Sequence, residues 1–461
     1  MFEITFHLKK TKNVPLYAQL YEYFKVEIQN GQIKAGMKLP SKRKLAAHFD
    51  IGLNTVDTAY QQLIAEGYVE SRVRKGYFVA DIDPILPITE QVASAKSISP
   101  CKTNRIDFNH GSVDMDSFPH SVWKKCLNKT LYLQERELFI SGDPQGEPGL
   151  RAEIAAYLFQ SRGVRCLPDQ IIMGAGTQYM IHLLRLLLGK KHVFGMEDPG
   201  FHRVREVLKV EGAEMRFIPC DESGLSVESL KESDADIAYV TPSHQFPLGM
   251  IMPISRRVEL LKWAMQNNGY IIEDDYDGEF RHAGRPIPSL QGLDPSGRVI
   301  YLGTFSKSLI PTIRVSYMIL PPELAKLYHK KMQGYKQTIS KMVQETVCVF
   351  IKDGHWERHL NRMRILYRKK NQVLLAALEE NFPDGVTVIG KKSGLHILVQ
   401  VTLNKSETEL IQSAEKEGVK VYPTSVYHSK KINDPTILMG YGGLSEKEIK
   451  EGIRLLKKAW L

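Results

Sequence analysis

The residues with the most pointed chemistry sit just after apolar runs. Lys307 lies in Gly303-Thr304-Phe305-Ser306-Lys307-Ser308-Leu309, directly after Val299-Ile300-Tyr301-Leu302. A lysine placed there can be desolvated and so held neutral enough to attack an aldehyde, which is the Schiff-base chemistry of pyridoxal 5′-phosphate (PLP). Glu273-Asp274-Asp275-Tyr276 ends another apolar run. One carboxylate there can pair with a protonated pyridine nitrogen while the tyrosine hydroxyl meets a ring phenolate, which keeps the ring electron-withdrawing. Gly174-Ala175-Gly176-Thr177-Gln178 opens a helix whose free N–H groups, together with the Thr177 hydroxyl, could hold a phosphate. Arg314, seven residues beyond Lys307, can clamp the same phosphate beside Thr304 and Ser306. Phe201, after Pro199-Gly200, offers a ring for stacking. Singly, these are a surface lysine, an acidic loop and a plain turn. Their order along the chain joins them.

The elements that must position these residues are legible from periodicity. From Ile106 onward, helices alternate with short β-branched runs, including 170–173, 191–197, 214–218, 235–240, 269–273 and 298–302. That alternation predicts a largely parallel α/β sheet, which binds ligands outside the carboxyl ends of its strands. Every stretch named above falls there.

The first 80 residues have a different texture. Helices are expected over 16–29, over 42–49 with Ser41 as cap, and over 55–65 with Asn54 as cap, the turn between the last two being Asp50-Ile51-Gly52-Leu53. Two short strands around the basic turn Arg74-Lys75-Gly76 follow, completing a winged helix-turn-helix whose third helix would enter the major groove. This segment carries 12 Lys/Arg against 7 Asp/Glu, a surplus suited to a phosphate backbone. Residues 81–105, with Pro84, Pro87 and Pro100 and no sustained period, read as a linker. The expected domains are therefore 1–80, 81–105 and 106–461.

Composition excludes several classes. At 461 residues, 43% hydrophobic and 25% charged, the chain is that of an ordinary globular protein with net charge +10. No membrane-length apolar window and no signal-peptide form is present, so a cytoplasmic protein is expected. Cys101, Cys126, Cys166, Cys220 and Cys348 are scattered without Cys-x-x-Cys spacing, which predicts reduced thiols and neither a disulfide framework nor a metal site.

Leu39-Pro-Ser-Lys-Arg-Lys-Leu-Ala46, Asn54-Thr55-Val56, Ala59-Tyr60, Glu66-Gly67 and Lys75-Gly76 resemble the DNA-binding domain of GntR-type bacterial repressors. The resemblance implies double-stranded promoter DNA as partner, with Arg43, Asn54, Thr55, Arg74, Lys75 and Gly76 as contacts. The chain departs from that family where Gly52-Leu53 stands in place of the usual Ser-Arg. The remainder resembles fold-type I aminotransferases with a smaller C-terminal α+β subdomain. That likeness implies Lys307 as the lysine bonded to PLP, Asp274 on the pyridine nitrogen, and Tyr276 and His244 near the phenolic oxygen. It further implies Phe201 on the ring and Gly176, Thr177, Gln178, Thr304, Ser306 and Arg314 around the phosphate.

A GntR-type head on an aminotransferase-like body is similar to the MocR group of transcription regulators, close to its GABA-responsive and PLP-responsive members. Phrases such as Thr241-Pro-Ser-His-Gln-Phe-Pro247 and Ile272-Glu-Asp-Asp-Tyr-Asp277 carry the likeness. The GABA-responsive member grips its ligand's carboxylate with two arginines. Arg203 matches the first, but Gly443 stands where the second falls. A C-terminal arginine also holds the substrate carboxylate in aminotransferases, so transamination and GABA recognition are both disfavoured. The expected effector is PLP, or PLP with a small amino acid held through Arg203, His110 or Lys430, acting on a homodimer without catalysis. The alternative is an active aminotransferase with an appended DNA-binding domain.

Overall fold

A computed structural model describes residue 8 and residues 14–82, 105–133, 136–282, 287–332, 334–430 and 435–461. The chain falls into two compact units divided between residues 102 and 103. Most of the expected linker, 83–104, lies outside the described residues.

In the first unit, helices Leu16–Gln29, Lys42–Phe49 and Leu53–Ala65 precede the antiparallel hairpin Val69–Arg72 and Gly76–Val79. Leu20, Phe24, Leu45, Val56, Ala59, Tyr60 and Leu63 recur at helical spacing and form one core with Val69 and Val79 of the hairpin. Ser41 caps the second helix by accepting from the Lys44 N–H, as expected. The third helix differs from expectation. It starts at Leu53 with Gly52 as cap and no side-chain capping bond. Asn54 is therefore inside the first turn, and its side chain is exposed and free for another partner. The connecting turn is closed earlier, by Asp50 in the left-handed region (φ 51°).

The second unit is built on an eight-stranded sheet. Its strand order is Ile171–Gly174, Ser316–Ile319, Val299–Thr304, Tyr270–Asp275, Ile237–Val240, Val193–Asp198, Glu214–Asp221, Gly224–Leu225. Ser316–Ile319 runs antiparallel to both neighbours, and Gly224–Leu225 is antiparallel to its own; the other six strands share one direction. Except in Glu214–Asp221, their interiors are buried runs such as Ile237–Val240, which is why they read as continuous apolar segments. The long helix His355–Asn381 leads into a four-stranded antiparallel sheet of Val386–Ile389, His396–Val401, Thr436–Gly440 and Tyr422–Pro423, packed with Glu407–Lys416 and Glu446–Trp460. This is the α+β subdomain expected at the C-terminus. No described helix is long and apolar enough to cross a membrane. Cys126, Cys166, Cys220 and Cys348 are free thiols; Cys101 lies outside the described residues.

Leu63 is fully buried where the third helix meets the rest of the winged unit. Leu63→Ala should cost about 3 kcal/mol by leaving a cavity. Calorimetry should show a transition of the winged unit moving down while that of the larger unit stays in place.

Candidate cofactor cavity and DNA-binding surface

The carboxyl ends of the parallel strands meet at a cavity of about 190 Å³. Its wall includes Gly176, Thr177, Gln178, Phe201, Asp274, Tyr276, Thr304, Ser306, Lys307 and Arg314, so nearly all the residues singled out from sequence face one space. Their convergence follows from strand geometry. Along Tyr270–Asp275 side chains alternate between faces. Glu273 points away and accepts from the N–H groups of Leu290 (2.8 Å) and Gln291 (2.9 Å). Asp275 likewise points away, to Arg162 Nε (2.7 Å) and the Tyr301 hydroxyl (2.6 Å). Asp274 alone lines the cavity, where the Tyr239 hydroxyl donates to it. Burial pushes its carboxyl up to about 7. A protonated ring nitrogen supplied by a ligand would offset that cost.

Lys307 is half-buried and donates to the His110 carbonyl. Burial pushes its amine down to about 8, with the Arg203 charge lowering it further and Asp277 opposing. His110, on the same wall, is pushed down to about 3 by burial and then by the charges of Lys307 and Arg203, so it is neutral and its Nδ1 has no partner. Around the opposite end, helix Thr177–Leu188 begins at Gly176 without a side-chain cap. The Ser306 hydroxyl oxygen is buried with no hydrogen-bond partner. Gly176 has φ +102°, and a Cβ there would run into the Arg314 guanidinium, so glycine is what lets the arginine close over the helix terminus. Arg314 itself turns back in the left-handed region and donates to the Ala175 carbonyl at 3.2 Å. An orphaned hydroxyl, an uncapped helix terminus and a guanidinium form a cradle fitted to a phosphate.

Two residues expected beside the ligand lie off the wall. His244 is not on the cavity wall: it is buried behind Tyr276, with Nδ1 2.9 Å from Asp277 Oδ2, and the Tyr276 hydroxyl donates to its carbonyl at 3.0 Å. The turn that contains it presents Phe246 to the cavity instead, its ring edge-on to Phe201 with centroids 5.4 Å apart. Lys430 is exposed and off the wall, whereas Arg203 and His110 are on it. His396, at the start of a strand in the C-terminal subdomain, completes the wall and was passed over in the sequence; one histidine opening an apolar strand was its only signal. His244, Asp277 and His396 bring ligand-type atoms within 4.8 Å of one another, but His244 is held by Asp277 and His396 lies 3.1 Å from the Pro247 carbonyl.

In the winged unit, Arg43, Asn54, Arg74 and Lys75 are exposed and Thr55 and Gly76 partly so. Lys42, Arg43 and Lys44 occupy the first turn of their helix, the end where the dipole disfavours cations. A bound DNA phosphate would relieve that repulsion. At the hairpin tip Arg74 takes a left-handed conformation (φ 60°), followed by Gly76 at φ 113°.

Residues 103–455 match the family described as Aminotransferase class I and II, and residues 16–79 match Bacterial regulatory proteins, gntR family. The chain is 46% identical to the HTH-type transcriptional regulator YdeL of Bacillus subtilis, over 99% of both chains. It is 33% identical to the "Probable rhizopine catabolism regulatory protein MocR" of Rhizobium meliloti, over 98% of this chain and 95% of that one. This chain belongs to the MocR group of GntR-type transcription regulators. It is also 30% identical to the HTH-type pyridoxine biosynthesis transcriptional regulator PdxR of Corynebacterium glutamicum, covering 94% and 93% of the two chains. Among solved structures, the kynurenine aminotransferase of Pyrococcus horikoshii superposes with a TM-score of 0.70 at 26% identity, over 78% of this chain and 91% of that one. A MocR-type regulator thus joins a DNA-binding head to a PLP-binding body with the aminotransferase fold.

Because the Lys307 amine is held near 8, uptake of added PLP should accelerate as pH rises through about 8 and level off above it, instead of climbing to the ordinary lysine range. Stopped-flow visible absorbance measures this. Gly176→Ala should weaken PLP binding at least 10-fold by displacing Arg314, as read by equilibrium dialysis.

Proposed function

We propose that this regulator senses PLP, or a small amino acid held on PLP, and reports it as a change in affinity for promoter DNA. In this reading Lys307 bonds the cofactor aldehyde, Asp274 holds the ring nitrogen, Tyr276 approaches the phenolic oxygen and Phe201 stacks on the ring. Gly176, Thr177, Gln178, Thr304, Ser306 and Arg314 hold the phosphate. PLP bound there supplies an electrophilic aldehyde on an electron-withdrawing ring. Arg203 and His110 are the groups placed to hold an effector.

The observation that carries sensing over turnover is at Gly443. A Cβ at this position would lie 2.6 Å from Ser112 Cβ, and the turn that contains it does not reach the cavity wall. The carboxylate clamp on which transamination relies is therefore missing from its place, while the cofactor cradle is complete. The pyridoxine biosynthesis role in the name of the PdxR relative supports vitamin B6 as the sensed quantity. The chain then works in the cytoplasm as a homodimer whose two heads read paired half-sites, and cofactor binding shifts the population of arrangements that fit both. The division into a head over 1–80, a linker over 81–105 and a body over 106–461 belongs to this proposal. A working aminotransferase is the second reading, favoured by the complete set of cofactor groups.

A gel-shift on the DNA upstream of the chain's own gene should show affinity changing when PLP is added, and Lys307→Ala should abolish both this change and the visible absorbance. Unchanged promoter affinity with PLP bound would overturn sensing. Conversion of amino acids to keto acids at ordinary enzymatic rates would establish the second reading in its place.

A further inference from the structure

The recognition helix, Leu53–Ala65, carries no lysine or arginine along its whole length. Its one charged residue is Asp57, and Lys42 of the preceding helix is bound to it. Lys42 also lies 5.0 Å from the Tyr77 ring centroid, so this ion pair ties the recognition helix to its neighbour and to the hairpin. Leu53, Asn54, Thr58 and Gln61 are the residues exposed along the first turns, with Leu53 46% exposed. The Thr58 hydroxyl donates to the Asn54 carbonyl at 2.9 Å, which leaves the methyl as its outward contact group.

Base edges in the major groove are read by a small set of groups. Guanine is recognised by arginine or lysine on O6 and N7, and cytosine by a carboxylate accepting from N4. This helix has neither cation, and its carboxylate is occupied. What remains is the amide of Asn54, which matches the N6 and N7 edge of adenine, and the apolar groups of Leu53 and Thr58, which match the thymine methyl; the Gln61 amide is hydrogen-bonded to Asp57. The cations stand elsewhere: Lys38, Arg43 and Lys44 before the helix, Arg74 and Lys75 in the hairpin, all exposed. Those positions suit phosphates, which fix register without reading sequence.

We propose that the recognition helix is an A·T reader, with Asn54 on an adenine edge and Leu53 against a thymine methyl, and that affinity comes from the flanking cations. This rests on the DNA-binding reading of the winged unit and adds which base pairs it selects. Each half-site then presents A·T pairs where the helix N-terminus enters the groove.

The test is selection of binding sites by the full-length chain, with and without PLP, from a randomised duplex pool. The expected half-site has A·T pairs at its most constrained positions, and replacing one of them by G·C lowers affinity about 10-fold or more. Leu53→Arg should move the preference at one position to guanine and steepen the salt dependence by about one counterion. Asn54→Ala should relax one position while leaving the salt slope and the melting temperature unchanged. Half-sites whose constrained positions are G·C, with a preference that survives Asn54→Ala, overturn the proposal. Failure to enrich any duplex would instead overturn the DNA-binding reading beneath it.

Discussion

An amine that bonds an aldehyde near neutral pH has to be kept from the full solvation of an ammonium ion, and the body of this regulator is arranged around doing that at Lys307. Its neighbours on the wall include uncharged groups and a cation, Arg203, whose charge also disfavours the ammonium form. His110 is held uncharged by burial, Phe201 and Phe246 supply apolar faces, and Asp274 is itself pushed up by burial, while the Asp277 charge opposes the lowering of the Lys307 amine. Asp275 of the same strand, paired with Arg162 from the end of helix Pro148–Arg162, is turned to the opposite face. Had the two aspartates exchanged faces, the ionised pair would sit in the cavity and the lone carboxylate would be in the core. Strand alternation decides this, and the buried runs on either side prevent a one-residue slip that would invert it.

The phosphate end obeys the complementary constraint. Its groups are left incomplete: a buried hydroxyl without a partner, a helix terminus without a cap, and an arginine that closes over a glycine in a left-handed conformation. Each is a local cost that a dianion relieves. The DNA-binding head shows the same logic on its surface, with two exposed cations, Arg43 and Lys44, in the first turn of one helix and two at a hairpin tip. Both units are thus shaped for phosphates, one enclosed and one extended. In the body, position 443 is a glycine packed against Ser112, and the recognition helix has no arginine.

Pattern alone made the parallel sheet, the three head helices, the basic hairpin and the identity of most wall residues legible, because periodicity and strand-end position are local properties of a chain. It could choose Lys307 from the turn that carries it, and place a carboxylate somewhere in Glu273–Asp275. It could not fix side-chain directions that depend on distant partners. His244 and Phe246 lie two residues apart in one turn, and only the position of Asp277 decides that the histidine goes behind Tyr276 while the phenylalanine faces the cavity. Asn54 reads as a cap by residue type, yet Gly52 takes that place and the helix begins at Leu53. His396 comes to the wall from the C-terminal subdomain across a long stretch of chain, which no local period can foretell.

What the sequence determined by itself, then, is the kind of chemistry: a desolvatable lysine, a carboxylate, hydroxyls, an arginine and a basic winged head, all fixed by residue type and order. What the tertiary structure decided is which atoms share a space. It brought Asp274 and not Asp275 to the cavity, left the Ser306 hydroxyl unpartnered, kept position 443 against Ser112, and bound Asp57 to Lys42 so that the recognition helix presents the Asn54 amide and methyl groups. The physical reason is that desolvation and hydrogen-bond completion depend on neighbours far apart in the chain, and those neighbours exist only once the chain has folded.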